Sequence, residues 1–354
     1  MRRALDEARK GSPSPNPPVG AVVLRDGQVV GVGFHARAGD AHAEVAALRE
    51  AGEAARGGSL VVTLEPCNHH GRTPPCTEAI LRAGVSRVVY ASADPNPHVD
   101  GGGASLLRAR GVSVSAGFGA LQPEADRLIA PWRTFITRGR PFVTLKLAMS
   151  LDGRIATRGG ESRWITGPEA RADGHALRAA CDAILVGSGT VLADDPALTV
   201  RHAPVARPPA RVVIDSALRM PVDAALVRTA REVPTWLVTL DGRDARRFED
   251  LGVSILRVPE GAGGRVDLSA ALRLLAQRGI VAALCEGGGG LHGALVDARL
   301  VDRVVAYIAP MLIGGAGATA AVGGEGAARL TDATRFAWTQ ATRVGEDLRL
   351  EGEL

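Results

Sequence analysis

The chain has 354 residues, 46% of them hydrophobic, with a formal net charge of +4 and a pI of about 9.2. That length suits two domains, each with its own core. The positive excess is scattered and arginine-based, which is compatible with small anionic substrates and does not imply a nucleic-acid arm. Aromatic residues are scarce, at six Phe, four Trp and two Tyr, and do not alternate with basic ones as single-strand stacking surfaces do. The opening MRRALDEARKG has helical periodicity without an apolar segment, and no run of 18 apolar residues follows. The expected protein is cytoplasmic, with neither membrane nor nucleic acid as partner. Four cysteines, Cys67, Cys76, Cys181 and Cys285, are too few and too unevenly spaced for a disulfide framework.

In chain order, VGAVVL and QVVGVGF flank Arg25-Asp26-Gly27 and predict a hairpin over 19–34. A helix starts near Ala43, a strand covers SLVVTL, and a cysteine-bearing loop leads to a helix through TEAILRAG and a strand at VSRVVYAS. This alternation predicts an α/β layer with a sandwiched sheet. A helix around 123–138 ends at Gly139-Arg140-Pro141, which sets expected domains of 1–140 and 141–354. The second half alternates again, with strands at PFVTLKLAM, DAILVGS, ARVVIDS, PTWLVTL, VSILRV, IVAALCE and RVVAYIAPMLI. A closing pair of strands is expected in FAWTQATRVGEDLRLEGEL, and no internal period relates the halves.

The chemistry gathers at HAE (42–44) and PCNHHGRTPPC (66–76). A catalytic zinc takes three protein ligands and keeps one position open for water. His42, Cys67 and Cys76 supply one nitrogen and two thiolates, and Cys76 opens a helix whose dipole favours its thiolate. Glu44 is then left to act on the water that zinc acidifies, shuttling a proton to a departing amine. A competing set closes the site with His69 or His70; otherwise those residues and Arg72 are expected to contact substrate or its phosphate. Asn16, in SPNPPVG, is a candidate to read a pyrimidine edge, and a plain turn role also accounts for it.

H-x-E followed by P-C resembles the zinc cytidine-deaminase superfamily. The eight-residue gap between the cysteines departs from the usual two, and in this longer form PCNHHGRTPPC, SPNPPVGAVV and HAEVAAL are similar to the deaminase half of the bifunctional riboflavin-biosynthesis deaminase/reductases. KLAMSLDGRIAT, ESRWITG, ADDPALTVR, VIDS and CEGGGGLHGAL resemble the reductase half in order. The resemblance implies a cytidine-deaminase-like three-layer α/β/α domain, then a dihydrofolate-reductase-like α/β domain, in a homo-oligomer, dimer or tetramer. It implies zinc-dependent deamination of 2,5-diamino-6-ribosylamino-4(3H)-pyrimidinone 5′-phosphate, then NADPH-dependent reduction of the product's ribosyl chain to ribityl. No G-x-G-x-x-G opens the second half, consistent with a fold other than Rossmann.

By matching motif, Ala148, Trp164, Thr190, Asp194, Ser216 and the run Gly288, Gly289, Gly290, Leu291, His292, Gly293 and Ala294 are expected to hold the cofactor. Ser162, Arg178, Leu198, Arg201 and Glu286 are expected to hold substrate, the arginines gripping its phosphate. Lys146 draws attention without the motif, because lysine occurs only at positions 10 and 146 and this one lies inside the apolar FVTLKLAM. It is assigned to the sugar hydroxyls or the forming alkoxide, an outward edge-strand lysine being the alternative. Asp152 reads as a turn residue, and Cys181 and Cys285 as buried thiols that bind no metal.

Overall fold

Asp26 and Gly27 both take positive φ, 50° and 79°, as a two-residue type I′ turn requires. They join β1 (Gly20–Arg25) to β2 (Gln28–Phe34), in the hairpin foreseen from the sequence. The computed structural model describes residues 1–354 apart from 71–73, 97–101, 202, 204 and 206. It contains two compact units, Met1–Gly139 and Arg140–Leu354.

The first unit opens with α1 (Arg2–Ala8), and after the hairpin come α2 (Ala43–Ala51), β3 (Ser59–Leu64), α3 (Cys76–Ala83), β4 (Arg87–Ser92), α4 (Gly103–Ala109), β5 (Ser113–Ala116) and α5 (Gln122–Arg138). Its five strands lie in the order β2-β1-β3-β4-β5, with β1 antiparallel to both neighbours and β3, β4 and β5 parallel. Glycines decide where the helices sit. A Cβ on Gly20 would lie 1.9 Å from the Ala4 carbonyl oxygen of α1. One on Gly33 would lie 2.4 Å from both the Ala43 oxygen and the Ala47 nitrogen of α2. Gly33 pairs with Ala21, the neighbour of Gly20, so the two glycines face opposite sides of the sheet and carry α1 and α2 on opposite faces. That is the expected three-layer α/β/α arrangement. Leu5 and Ala125 share one apolar cluster, which places α5 beside α1.

The second unit comprises β6 (Phe142–Ser150), β7 (Arg154–Ala156), α6 (Pro168–Ala179), β8 (Ala183–Gly187), α7 (Ser188–Asp194), β9 (Ala210–Ile214), α8 (Ala225–Arg228), β10 (Thr235–Leu240), α9 (Arg246–Glu249), β11 (Ser254–Val258), α10 (Leu268–Gln277), β12 (Ala282–Cys285), α11 (Gly289–Asp297), β13 (Arg303–Ala309), β14 (Thr319–Ala320), β15 (Ala337–Val344) and β16 (Asp347–Glu353). A nine-stranded sheet runs β11-β10-β9-β8-β12-β6-β13-β16-β15, parallel as far as β13 and antiparallel beyond it. Alternate residues of the parallel strands enter different cores: Val143, Leu145 and Leu185 pack with Leu272, Leu275 and Leu295 of α10 and α11. Ile184, Val186 and Val213 pack with Leu226 and Phe248 of α8 and α9. Both faces are covered, as a parallel sheet demands.

One residue breaks this apolar pattern. Arg211 of β9 is fully buried, and its guanidinium donates to the carbonyls of Ala197, Leu226, Thr229 and Val233 and to the hydroxyls of Thr229 and Thr235. Burial pulls its pKa down to about 10, so it remains charged at neutral pH. The sequence pattern missed α4, β5 and the two-stranded β7–β14 sheet, all short. It also carried β13 to Ile313, whereas the strand stops at Ala309 before Pro310, which has no N–H for a ladder. Among the described residues no helix is long and apolar enough to cross a membrane.

Because the α2–β2 contact has no room for a methyl group, Gly33→Ala is expected to cost about 1–3 kcal/mol, typical of overpacking, and to lower zinc content by displacing the start of α2. A thermal melt and a metal assay check this; wild-type values for both would show that α2 is not held by this contact.

Candidate functional site

His42 caps the N-terminus of α2 with extended backbone, and Cys76 is the first residue of α3. Cys67 lies on the loop between β3 and α3. His42 Nδ1 is 3.2 Å from Cys76 Sγ and 3.6 Å from Cys67 Sγ, and the three donor atoms lie within 4.8 Å of one another. Ligands about 2.0–2.3 Å from a tetrahedral zinc would stand about 3.5–3.8 Å apart. One imidazole and two sulfurs at these separations therefore fit zinc, with the fourth corner open. His69 and His70 are exposed and outside the cluster, and His70 instead meets Glu78 at 3.3 Å. Arg72 lies outside the described residues.

The long cysteine loop is closed locally. Cys76 N–H donates to Cys67 Sγ at 3.4 Å, Thr77 N–H to the Cys67 carbonyl at 3.3 Å, and Thr77 Oγ1 to Asn68 Oδ1 at 3.0 Å. Gly103 seats α4 against the same loop, since a Cβ there would lie 1.8 Å from the Pro66 oxygen. The first N–H of α3 thus points at Cys67 Sγ, while Cys76 itself opens the helix, as the sequence led us to expect. Contact with Cys76 and then His42 brings the Cys67 thiol down to about 4. The same sulfur–sulfur contact, with burial, pushes Cys76 up. Glu44, in the first turn of α2, is 4% exposed, and burial followed by the Cys67 charge raises its carboxyl to about 7. A carboxyl titrating near neutrality is suited to both taking and giving a proton.

Asn16 is held by a residue that sequence reasoning overlooked. Its Nδ2 is 2.9 Å from Nε2 of the buried His35, whose Nδ1 lies 3.1 Å from the Ala41 carbonyl. A carbonyl only accepts, so Nδ1 carries the proton and Nε2 accepts from the Asn16 amide. The His35 ring packs edge-on against His42, with centroids 5.0 Å apart. Asn16 is therefore linked to the metal-type cluster through one ring, a link that no spacing in the sequence signals.

In the second unit Lys146 is on β6, an interior strand between β12 and β13, which removes the edge-strand alternative. Its Nζ is 5.7 Å from the centroid of the Tyr307 ring. Burial pulls its ammonium below the usual lysine range, opposed by the charge of Glu286. Arg178 of α6 clamps Glu286 through Nε to Oε1 at 2.6 Å and Nη2 to Oε2 at 2.8 Å, and donates from Nη1 to the Thr199 carbonyl at 2.9 Å. Burial alone would raise Glu286, but the Arg178 hydrogen bonds and the Lys146 charge hold it below the usual carboxylate value. Leu198 is buried with a left-handed φ of 48°, uncommon for a branched side chain, whereas Arg201 is exposed and anchored by its backbone N–H to His175 Nδ1 at 3.1 Å.

Thr190, Ser216, Gly288, Gly290, Leu291 and Ala294 line one cavity of about 570 Å³ beyond the carboxyl ends of the parallel strands, where open α/β sheets bind ligands. The rest of the 288–294 run is not among its lining residues. Gly289 and Gly293 bring α11 against the backbone of Ala320 and Gly323, where a Cβ would lie 2.3 Å and 2.2 Å from its neighbours. His292 is buried, with Nδ1 hydrogen-bonded to the Ala321 carbonyl at 2.9 Å. Helical periodicity divides this stretch into a cavity face and a packing face. Ala148, Ser162, Trp164 and Asp194 also lie off the cavity: Ala148 pairs with Tyr307 in the sheet, Trp164 is exposed beneath Arg171, and Asp194 meets Arg163 at 3.4 Å. Asp152 accepts from Ser150 Oγ and the Ile313 and Gly314 amides in its turn, as expected. Cys285 is fully buried and Cys181 partly so, and burial pushes both up to about 12.

Comparison with known proteins follows the same division. Residues 1–92 match the cytidine and deoxycytidylate deaminase zinc-binding region, and residues 141–350 match the RibD C-terminal domain. The chain is 42% identical to the riboflavin biosynthesis protein RibD of Bacillus amyloliquefaciens, over 99% of this chain and 94% of that protein. The chain belongs to the RibD family of riboflavin-biosynthesis proteins. Its counterpart in Escherichia coli (strain K12) is 43% identical over 99% and 97% of the two chains. A solved Acinetobacter baumannii RibD structure superposes with a TM-score of 0.87 at 38% identity, covering 100% of this chain and 97% of the other. A Thermotoga maritima deaminase/reductase structure gives 0.86 at 33% identity, with the same coverage. Like these RibD proteins, the chain is a bifunctional enzyme, a zinc-binding deaminase domain followed by a reductase domain.

Cys67→Ser and Cys76→Ser are each expected to abolish stoichiometric zinc binding by the full chain, whereas His69→Ala and His70→Ala retain it. Metal analysis after dialysis checks this, and full zinc in either cysteine variant would point to a different ligand set.

Proposed function

We propose that the first unit hydrolyses the 2-amino group of 2,5-diamino-6-ribosylamino-4(3H)-pyrimidinone 5′-phosphate, and that the second reduces the ribosyl chain of the resulting 5-amino-6-(5-phosphoribosylamino)uracil with NADPH. The observation that carries this reading is the convergence of His42, Cys67 and Cys76 from three separate segments, with Glu44 buried beside them. Zinc held by those donors supplies Lewis acidity that brings the pKa of an attacking water toward neutrality. Glu44 takes the proton of that water and delivers it to the departing amine, which its near-neutral carboxyl allows in both directions. The Asn16 amide, oriented by His35, hydrogen-bonds the pyrimidine edge.

Reduction at the sugar carbon requires the ribosyl ring to open, which places negative charge on the departing ring oxygen. Lys146 donates to that oxygen, and Glu286 keeps the ammonium charged in its buried position. Thr190, Ser216 and Gly288 line the cavity that would hold NADPH, whose chemistry when bound is hydride donation. Arg178, with three of its N–H groups already committed, and the exposed Arg201 take the substrate phosphate. A cytoplasmic enzyme is supported by its free thiols. A homo-oligomer, dimer or tetramer, is the assembly that the family resemblance implies.

Purified protein given the diaminopyrimidine ribotide should release ammonia and oxidise NADPH. Glu44→Gln should keep its zinc and lose deamination by roughly a hundredfold or more, the scale of general acid–base catalysis. Lys146→Ala should release ammonia normally and stall before NADPH oxidation. Normal ammonia release by Glu44→Gln, or unchanged reduction by Lys146→Ala, would remove that residue from the mechanism.

A further inference from the structure

The cavity of the second unit has an end that none of the residues assigned so far explains. Two loops meet there, one following β9 and one following β11. They are joined where Val266 N–H donates to Ser216 Oγ at 2.9 Å. In the first loop Asp215 Oδ2 accepts from Met220 N–H at 2.7 Å, which folds the chain back and leaves Arg219 on the cavity wall. Arg219 Nη2 donates to Ser188 Oγ at 2.9 Å. In the second loop Gly263 and Gly264 take left-handed φ of 64° and 70° and deliver Arg265 to the same wall. Among the described residues neither arginine has a carboxylate partner, unlike Arg140, Arg178, Arg246 and Arg329 of this unit.

The same cavity holds a second unexplained group. Asp215 lines the cavity, is 1% exposed, and its Oδ1 has no hydrogen-bond partner among the described residues. A buried carboxylate oxygen left unsatisfied is costly unless a ligand completes it. One acceptor sharing a cavity with two arginines that lack an acid partner is complementary to a sugar carrying a phosphate monoester: a hydroxyl donates to the carboxylate while the planar cations grip the dianion. A carboxylate alone at such a position favours an unmodified ribose diol, and the arginines reverse that preference.

We infer that Arg219 and Arg265 select the 2′-phosphorylated nicotinamide dinucleotide in this cavity, with Asp215 taking a hydroxyl of the same ribose. This rests on reading the second unit as a dinucleotide-dependent reductase. The test is equilibrium binding to the full-length, zinc-loaded protein, with NADPH, NADH and adenosine 2′,5′-bisphosphate as probes.

Wild-type protein should prefer NADPH to NADH, and adenosine 2′,5′-bisphosphate should compete with NADPH. Arg219→Leu and Arg265→Leu should each weaken NADPH binding by roughly tenfold or more, the scale of a lost charge-assisted hydrogen bond, with NADH affinity changed less than about twofold. Retained NADH binding shows that the variants are folded, and Arg→Lys at each position should recover part of the loss. NADPH binding that is tight but insensitive to both substitutions would overturn the phosphate subsite and leave the dinucleotide reading standing. An equal loss of NADPH and NADH would likewise overturn the selection. Failure of wild-type protein to bind either dinucleotide would overturn the reading and the inference together.

Discussion

Helix α2 lies closer to β2 than any side chain larger than hydrogen would permit. Gly31 and Gly33 present bare backbone to Ala43, Ala47 and Ala51, spaced four residues apart along one helical face. This small-residue contact fixes both the height and the rotation of the helix. His42 and Glu44 stand at its first turn, so the contact also sets the direction of the imidazole and the depth of the carboxyl. A solvated first turn would leave Glu44 an ordinary acid. Burial, and after it the charge of Cys67, is what moves it to about 7.

The second unit handles charge in a related way. Lys146, Glu286 and Arg178 form a mixed-sign group in which each ion is desolvated and each is compensated by another. Arg211 shows the contrasting solution, a buried cation satisfied by carbonyls and hydroxyls. It lies in the strand leading to Asp215 and is committed to protein groups, whereas Arg219 and Arg265 face the cavity without an acid partner. A buried charge saturated by its own fold is structural. A charge left unsaturated beside a cavity marks a ligand.

Much of this was legible in the sequence because the relevant signals are local. The type I′ turn at Asp26-Gly27, the alternating strands and the H-x-E and P-C pairs each depend on residues a few positions apart. The long gap to Cys76 was not legible, because its closure depends on an N–H to sulfur contact and on Gly103 approaching Pro66 from a later helix. Nor was the division of the 288–294 run, where a contiguous motif became two faces once wound into α11. His35 was missed because its role is to orient Asn16, and Arg219 and Arg265 were hidden because a chain rich in arginine gives no reason to choose them. What sequence conceals here is the state of the partners: which carboxylate has already been claimed and which hydrogen-bonding atom is still unpaired.

The central claim is that three side chains from separate segments form one N/S/S donor set with an open corner. Zinc K-edge X-ray absorption of the full-length protein tests it most directly. The account predicts a four-coordinate shell with two sulfurs at about 2.3 Å and lighter atoms at about 2.0–2.1 Å. A shell with fewer than two sulfurs, or purified protein that retains no zinc, would contradict it.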